Sequence, residues 1–407
     1  MEAYCDRHVN FFDTTLRDGE QAPGYSLTLD QKVEIASLSE SLGVNTIEVG
    51  FPSSSPTDFE AVRQICGNLT RATPCVFARA TEEDIRSCAK ATEKASQRQI
   101  QIATIGSDIH IQYKRSMTRS QVLEEVKCAV IMAKAQGFDD ISLAIEDATR
   151  SDFDFLKQLL DIALEKGITA FAIPDTVGCC LPQEFGQLIR QVRAHIGRDL
   201  RISIHCHNDM GLAVANTLAG IEAGGDEIQV TMGGVGERAG NASMEELVAI
   251  LNYKASVLHV THDMIQHRLY AAVSRLAEFI KLSIPAHKPI VGSNAFATEA
   301  GMHQQGVMNR RFTYEFMRAE DFGAESRTVV GRHSGRNILR QRLMQSGIRN
   351  ISSNALDRLY MQIMSEPQVE RYNDLRLLRQ TYESVVSISS EAPAMLGTHR
   401  HETHPIA

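Results

Sequence analysis

Residues 12–22, FDTTLRDGEQA, follow an apolar, strand-like run that begins at Val9 with a cluster of an arginine, two acids and a glycine, RDGE at 17–20. Ions that leave water at a strand end are costly unless they bind something. A salt-bridged turn would account for this stretch alone. A second cluster, HCHND at residues 205–209, changes the interpretation. Because side chains at i and i+2 of a strand share a face, His205 and His207 can bind one divalent metal, with Asp18 as a carboxylate ligand.

Composition describes a globular protein with room for a large barrel. The chain has 407 residues, of which 43% are hydrophobic and 23% charged, and a (β/α)8 barrel takes about 250 residues. The net charge of −8 argues against nucleic-acid binding. Without an apolar run long enough for a membrane span, and without the apolar core of a signal peptide, the sequence predicts a cytoplasmic protein. The adjacent Cys179 and Cys180 are poor disulfide partners, and the cysteines are predicted to be reduced thiols.

Strand-like and helix-like segments alternate up to about residue 250, and this alternation predicts a parallel sheet. Capping-box patterns predict helices that begin near Thr28 and Thr118 and end near Gly43 and Gly137. Eight strand–helix units predict an α/β fold of the (β/α)8 TIM-barrel type, followed by a small, mostly helical C-terminal region. The predicted strands are Val9–Leu16, Thr46–Phe51, Pro74–Arg79, Ile100–Ile105, Asp140–Glu146, Ala170–Thr176, Ile202–Asn208 and Glu227–Met232.

The alternation of strand-like and helix-like segments ends after residue 255, and a helix is predicted over His259–Leu282. His399, His401 and His404 have loose metal-like spacing, but they lie in a polar tail that is predicted to be disordered. The predicted divisions are a barrel over residues 1–265, a helix and linker over 266–289, a subdomain over 290–335, a helical subdomain over 336–390 and the tail over 391–407.

Polar residues follow several predicted strands at the same end. Asp18 follows the first strand and Glu146 ends the fifth, while Asp175 and Thr176 end the sixth and the two histidines end the seventh. In a barrel these ends converge on one mouth, where barrel active sites lie. The sequence therefore predicts a functional site at that mouth.

The chemistry of these residue types suggests individual roles. Two imidazoles and a carboxylate suit Zn²⁺, Mn²⁺ or Fe²⁺, although packed core histidines are the structural alternative. Asn241, in a glycine-dense loop, is a candidate fourth ligand. Arg17 could bind a substrate carboxylate or an enolate oxygen, or could form a structural ion pair. Apolar neighbours could raise the pKa of Glu146 or orient it toward a substrate, and the adjacent Asp147 could pair with Arg150.

Longer motifs make the chain similar to a known family. They are DTTLRDGEQ (13–21), HCHNDMGLA (205–213), GVGERAGN (234–241), NAF to GMHQ (294–304) and GRHSGRN (331–337). The sequence resembles the α-isopropylmalate synthase, homocitrate synthase and citramalate synthase family. FPSSSP (51–56) and IHIQYK (109–114) make it most similar to the isopropylmalate synthases.

The resemblance implies a metal-dependent acyltransferase that adds acetyl-CoA to a 2-oxo acid and hydrolyses the thioester. It implies Asp18, His205 and His207 as ligands of Zn²⁺, Mn²⁺ or Mg²⁺, with Asn241 as a more variable fourth. The implied catalytic residues are Arg17, which stabilises the enolate, Glu146, His303 and Tyr314, and the implied substrate-binding residues are Arg17, His110, Ala144 and Thr176. In the family the histidine–tyrosine pair reaches over the mouth of the partner subunit in a domain-swapped homodimer, which is the role expected of residues 290–335.

Three departures from the family pattern matter. Ala144 stands where isopropylmalate synthases usually carry serine, which bears on the choice of oxo acid, and Gly233 replaces a usual asparagine. The chain also lacks the C-terminal regulatory domain of the long synthases, so leucine feedback is not expected. The predicted function is 2-isopropylmalate synthesis from 2-oxoisovalerate in leucine biosynthesis. Homocitrate or citramalate synthase, an acyl-CoA lyase on the same barrel and a non-catalytic paralogue are the alternatives.

Overall fold

A computed structural model describes residues 7–390, except the side chains of Met308 and of residues 388–390. The chain divides into two compact units. The first contains the residues up to Ala295 together with Ala319–Ala324, and the second contains Phe296–Arg318 and the residues from Glu325 onward.

The first unit is a closed barrel of eight parallel strands, which confirms the predicted fold. Each strand is followed by a helix, so the order is that of a (β/α)8 barrel. The strands are β1 (Asn10–Asp13), β2 (Thr46–Gly50), β3 (Thr73–Arg79), β4 (Gln99–Ile105), β5 (Asp140–Glu146), β6 (Ala170–Asp175), β7 (Arg201–Cys206) and β8 (Glu227–Val230). The helices are α1 (Leu29–Ser41), α2 (Pro56–Asn68), α3 (Glu82–Ala91), α4 (Arg119–Ala135), α5 (Phe153–Lys166), α6 (Pro182–Ile196), α7 (Ala213–Glu222) and α8 (Met244–Tyr253).

Local sequence signals account for the helix ends. Thr28 and Thr118 each cap the third amide of the following helix, and glutamines at that position return the bond to the cap residue. These reciprocal bonds satisfy amides that a helix start otherwise leaves free. The apolar face of α4 is fully buried, as its periodicity predicts.

One predicted helix is partly wrong. Residues 259–265 are not helical, because α9 (Ala255–Leu258) ends at His259, whose φ of 52° is left-handed. Val260–Thr261 instead forms a short parallel strand pair with Arg7–His8. The expected helix begins only at Leu269, as α10 (Leu269–Phe279). Pairing with the N-terminal segment therefore overrides the local helical pattern.

The second unit is mostly helical, as predicted for the C-terminal region. A short parallel strand pair, Ala297–Thr298 with Arg327–Thr328, accompanies four helices. Leu339, Leu356 and Tyr372 are among the side chains of its own buried core. The helices are α11 (Gly301–Asn309), α12 (Arg336–Gln345), α13 (Ser353–Met364) and α14 (Leu375–Ser390). The tail over 391–407, with its three histidines, lies outside the described residues. Within the described residues no helix has the length and apolarity to cross a membrane.

The packing of β7 against the segment before β8 makes a stability test possible. A Cβ at Gly225 would overlap Cδ1 of Ile204, the residue before His205. We expect Gly225→Ala to lower the free energy of unfolding by about 1–3 kcal/mol through overpacking, measured by urea denaturation. Adding Ile204→Val, which removes Cδ1, should restore part of the loss. Gly67→Ala on α2, where the added carbon meets nothing within 4 Å, is the control and should not destabilise the protein.

Candidate active site

Three of the predicted ligands meet at the carboxyl-terminal mouth of the barrel. The Nε2 atoms of His205 and His207 lie 3.1 Å apart, and Oδ2 of Asp18 lies 3.4 Å from the first and 3.7 Å from the second. All three residues are buried. Strand β7 and the loop after β1 therefore bring an acid and two imidazoles together from distant parts of the chain.

The donor set fits a divalent cation. Because Zn–N bonds are about 2.0–2.1 Å long, two nitrogens on one ion lie about 3.0–3.4 Å apart, which matches the histidine pair. Asn241 donates through Nδ2 to Oδ1 of Asp18 at 3.1 Å. Its Oδ1 is buried and has no hydrogen-bond partner among the described residues. This orphaned oxygen beside the cluster is what a fourth ligand would offer.

The electrostatic surroundings leave the candidate ligands in forms that could bind a cation. Burial alone would raise the pKa of Asp18, but Arg17 and the two imidazoles outweigh it and hold that pKa well below its ordinary value. Burial, with His205 adding to it, lowers the pKa of His207 to about 4, so this imidazole is neutral at neutral pH. The Nδ1 atoms of both histidines are buried and accept or donate no hydrogen bond within the described residues.

The glycine-dense loop after β8 lies directly on the cluster. His207 and Asn241 form an isolated antiparallel bridge. The amide of Asn208 donates to the carbonyl of Gly240 at 2.9 Å. A Cβ at Gly236 would overlap the amide of Asn241 and approach Oδ1 of Asp18 to 3.1 Å. Glycine is therefore required there so that the loop can press Asn241 against the carboxylate.

Arg238 from this loop ties three loops of the mouth together. Its guanidinium binds both carboxylate oxygens of Asp209 at 2.7 and 2.9 Å. It also donates to the carbonyl of Thr176 at 2.7 Å. Bidentate guanidinium–carboxylate pairs fix orientation as well as distance, so the loops after β6, β7 and β8 are held in one arrangement.

Arg17 is held by two carboxylates, which leave its Nη2 amino group free. Its Nε donates to Glu48 at 2.7 Å and its Nη1 to Asp18 at 3.1 Å, while Nη2 makes no hydrogen bond within the described residues. Its guanidinium lies 4.8 Å from the centre of the Phe77 ring. Burial opposes the charge, but Glu48 and Asp18 outweigh it and raise the pKa of Arg17. Arg17 therefore forms a structural ion pair and at the same time leaves Nη2 able to donate to a ligand.

Glu48 was not predicted from the sequence, yet it anchors Arg17. It is fully buried on β2 and accepts bonds from Thr14 at 2.5 Å and Gln101 at 2.9 Å. Gln229 continues the chain of bonds by donating to Gln101 at 2.8 Å. An acid inside the otherwise uncharged strand TIEVG was the available signal, since buried charges need partners.

Glu146 does not have the apolar surroundings expected of it. Lys114 donates to both of its carboxylate oxygens at 2.6 and 2.7 Å. Nδ1 of His110 lies 3.3 Å from Oε1 of the same carboxylate. The expectation of apolar neighbours is wrong, because Lys114 and His110, from the segment after β4, lie against the Glu146 carboxylate. Asp147 does pair with Arg150, at 2.8 Å, as expected.

The remaining predicted residues occupy different places. Thr176 accepts the amide of Asp147 at 2.8 Å through its hydroxyl oxygen. Ala144 lies on β5 in register with Ala103 on one side and Ala172 on the other, so three small side chains lie side by side. His303 and Tyr314 belong to the second unit, where their rings stack with centroids 4.2 Å apart.

A closed (β/α)8 barrel with an acid and two histidines at its mouth defines a class of barrel enzymes, and family comparison specifies it. The model described as HMGL-like matches residues 8–275, and the model described as homocitrate synthase post-HMGL domain-like matches residues 290–368. The 2-isopropylmalate synthase of Aquifex aeolicus is 40% identical over 392 residues, which cover 95% of this chain and 75% of that one. The 2-isopropylmalate synthase 1 of Caldanaerobacter subterraneus is 42% identical, covering 84% of this chain and 86% of its own.

The chain thus belongs to the 2-isopropylmalate synthase family of HMGL-like proteins and is an enzyme of the acyltransferase type. Among solved structures, hydroxymethylglutaryl-CoA lyase from Pseudomonas aeruginosa aligns with a TM-score of 0.60 and 17% identity. The alignment covers 69% of this chain and 96% of the lyase. At this identity the likeness demonstrates the shared barrel fold only.

The Arg17–Glu48 pair can be tested by a double-mutant cycle with Arg17→Met and Glu48→Gln. Because Glu48 is fully buried and the Arg17 side chain is only 12% exposed, we expect each single substitution to cost more than the double substitution, with a coupling of about 1–3 kcal/mol in unfolding free energy. The exposed pair of Arg275 and Glu34 is the control, since surface pairs contribute little. Equal coupling in the two cycles would contradict an anchoring role for Glu48.

Proposed function

We propose that this chain is a 2-isopropylmalate synthase, which condenses acetyl-CoA with 2-oxoisovalerate and then hydrolyses the CoA thioester in leucine biosynthesis. The observation that carries the proposal is the cluster of Asp18, His205 and His207 at the barrel mouth, with the unpartnered oxygen of Asn241 beside it. Relatives about 40% identical over most of the chain support the same activity.

The proposed cofactor is one divalent ion held by Asp18, His205 and His207, with Asn241 as fourth ligand. When bound, the ion would supply a Lewis acid that polarises the carbonyl of the oxo acid. Zn²⁺ fits better than Mn²⁺ or Mg²⁺, because imidazole ligands suit Zn²⁺, whereas Mn²⁺ and Mg²⁺ prefer oxygen.

Arg17 would steady the negative charge that develops on the thioester oxygen of acetyl-CoA. Its Nη2 is the free donor of a guanidinium that Glu48 and Asp18 already hold in place. A preorganised donor stabilises developing charge without having to reorient during the reaction. We propose that Glu48 is the residue that provides this preorganisation.

The acetyl methyl group is a weak carbon acid, so a base must remove its proton. We propose that His303, stacked on Tyr314, handles this proton, with Glu146 assisting. The ammonium of Lys114 keeps Glu146 oriented by contacting both of its oxygens. Thr176 and His110 would bind the oxo acid.

The row of Ala103, Ala144 and Ala172 favours an oxo acid with a branched apolar side chain. Three adjacent methyl groups leave space without offering a charge to a second carboxylate. A missing methylene changes discrimination by only about 1–3 kcal/mol, so homocitrate and citramalate synthesis are the competing activities within the class. The match of residues 290–368 to a post-barrel synthase region favours condensation over acyl-CoA cleavage.

The first test is release of CoA from acetyl-CoA, detected with a thiol reagent. We expect release with 2-oxoisovalerate, loss of release on adding a chelator and much lower rates with 2-oxoglutarate, pyruvate or oxaloacetate. His205→Ala should be inactive, whereas His195→Ala, a surface histidine that pairs with Asp161, should retain full activity. Chelator-sensitive release with another acid would name a different synthase, and none with any acid would reject the proposal.

We further propose that the enzyme is a domain-swapped homodimer located in the cytoplasm. Met302 is 84% exposed, and Phe312 and Tyr314 are more than half exposed within one short segment of the second unit. Exposed apolar side chains that lie together mark protein interfaces. The described cysteines are all free thiols, which suits a reducing compartment.

Subunit mixing tests the swapped arrangement. His205→Ala damages the barrel site and His303→Ala damages the segment proposed to reach the partner. In a swapped heterodimer one of the two sites is intact, so random reassociation of the two inactive variants should restore about a quarter of wild-type activity.

A mixture of His205→Ala with Asp18→Ala is the matched control and should stay inactive, because every barrel then carries a lesion. If the first mixture also stays inactive although heterodimers form, each chain supplies its own His303 and the swap is excluded.

A further inference from the structure

A second group of metal-binding side chains lies in the loop after β6, apart from the Asp18 cluster. Asp175 is the last residue of β6 and is fully buried, Cys180 is buried and Cys179 is exposed. One ligand atom from each of the three lies within 4.8 Å of the other two. None of the three has a role in the proposed condensation.

The spacing of these atoms suits one tetrahedral ion. Sγ of Cys179 lies 3.7 Å from Oδ1 of Asp175. With bonds of about 2.3 Å to sulfur and 2.0 Å to oxygen, two such ligands of one zinc ion are about 3.5 Å apart. The hydroxyl of Thr149 lies 3.3 Å from the same carboxylate oxygen and 4.0 Å from Sγ of Cys179, so it can complete the set.

Hydrogen bonds and close packing hold the side chains of this group in place. The Asp175 carboxylate accepts the amides of Cys179 at 3.1 Å and Cys180 at 3.2 Å, and the side chain of Asn216 at 3.2 Å. A Cβ at Gly178 would come within 2.9 Å of the His207 carbonyl, so the loop is packed against the segment that follows β7. These bonds fix the carboxylate and the loop before any ion arrives.

An ion can reach this group from solvent. A cavity of about 440 Å³ is lined by both cysteines and by Thr149, Glu184 and Gln187. Cys179 is the exposed member of the group. The cavity therefore provides both an entry path and room for a water ligand.

We propose that Asp175, Cys179 and Cys180 bind a second divalent cation, of the thiophilic Zn²⁺ or Cd²⁺ class. Two sulfur ligands and one carboxylate select such ions over Mg²⁺ and Mn²⁺, which prefer oxygen. Binding replaces the two thiol hydrogens with bonds to the ion and releases them as protons. Arg238 donates to the carbonyl of Thr176, the residue after Asp175. An ion bound to Asp175 would therefore affect the loops that Arg238 holds together at the mouth of the barrel.

The test is a titration of the reduced, chelator-treated full chain with Cd²⁺, followed by ultraviolet absorption. Thiolate–cadmium bonds absorb through charge transfer, whereas the Asp18 cluster has no sulfur and is silent. We expect an absorption rise that saturates at one equivalent of thiolate-bound ion, and no rise with Mg²⁺. Cys179→Ser and Cys180→Ser should each remove most of it.

The control is Cys128→Ser, since Cys128 is exposed on α4 with Glu124 close to its sulfur. This variant should keep the full absorption rise. Cys179 is exposed, so its serine variant is expected to fold, and an unchanged thermal melt without metal verifies this. No saturable rise, a rise retained in both loop variants, or an equal loss in Cys128→Ser would each overturn the proposal. None of these outcomes depends on the condensation assay.

Discussion

The buried ion cluster of Glu48, Arg17 and Asp18 is the constraint on which the mouth of the barrel depends. Two carboxylates share one guanidinium there, and Glu48 and Asp18 are almost completely withdrawn from water. The two carboxylates outnumber the one guanidinium, so the cluster has one negative charge in excess, and uncompensated buried charge is expensive. A divalent cation at the two histidines would reverse that excess. The mouth of the barrel therefore has a negative charge excess that the proposed metal ion would compensate.

The barrel is what makes such a cluster possible. Asp18, Glu48 and His205 come from three strands or strand ends that are distant in the sequence, and only closure of the sheet brings their ends together. The interior supports the cluster with polar side chains instead of apolar layers, because Gln229 donates to Gln101 and Gln101 donates to Glu48. Apolar packing is provided by the outer faces of the strands against the helices. The outer face of each strand therefore supplies apolar packing, and the inner face positions the charged side chains.

Periodicity and capping residues sufficed to predict all eight strands and the starts of α1 and α4, since those signals are local. They failed over residues 259–265, where Val260 pairs with Arg7, which lies at the other end of the barrel sequence. The same limit applied to the site. The meeting of Asp18, His205 and His207 could be predicted from their spacing and motif, but the Lys114–Glu146 ion pair and the anchoring by Glu48 depend on which neighbours the barrel brings into contact. Long-range partners of a charged side chain are the part that one sequence does not encode locally.

The charge balance of the mouth also constrains the order in which ligands bind. A 2-oxo acid is an anion, and it would bind beside a cluster that carries excess negative charge, while Lys114, in the segment after β4, is already paired with Glu146. Repulsion at short range in a buried site is strong, so the anion binds well only after the charge excess has been reversed. A divalent ion held by Asp18, His205 and His207 would reverse this excess, and Nη2 of Arg17 would remain free to donate to the anion. Metal binding before oxo-acid binding is therefore the sequence that the electrostatics favour.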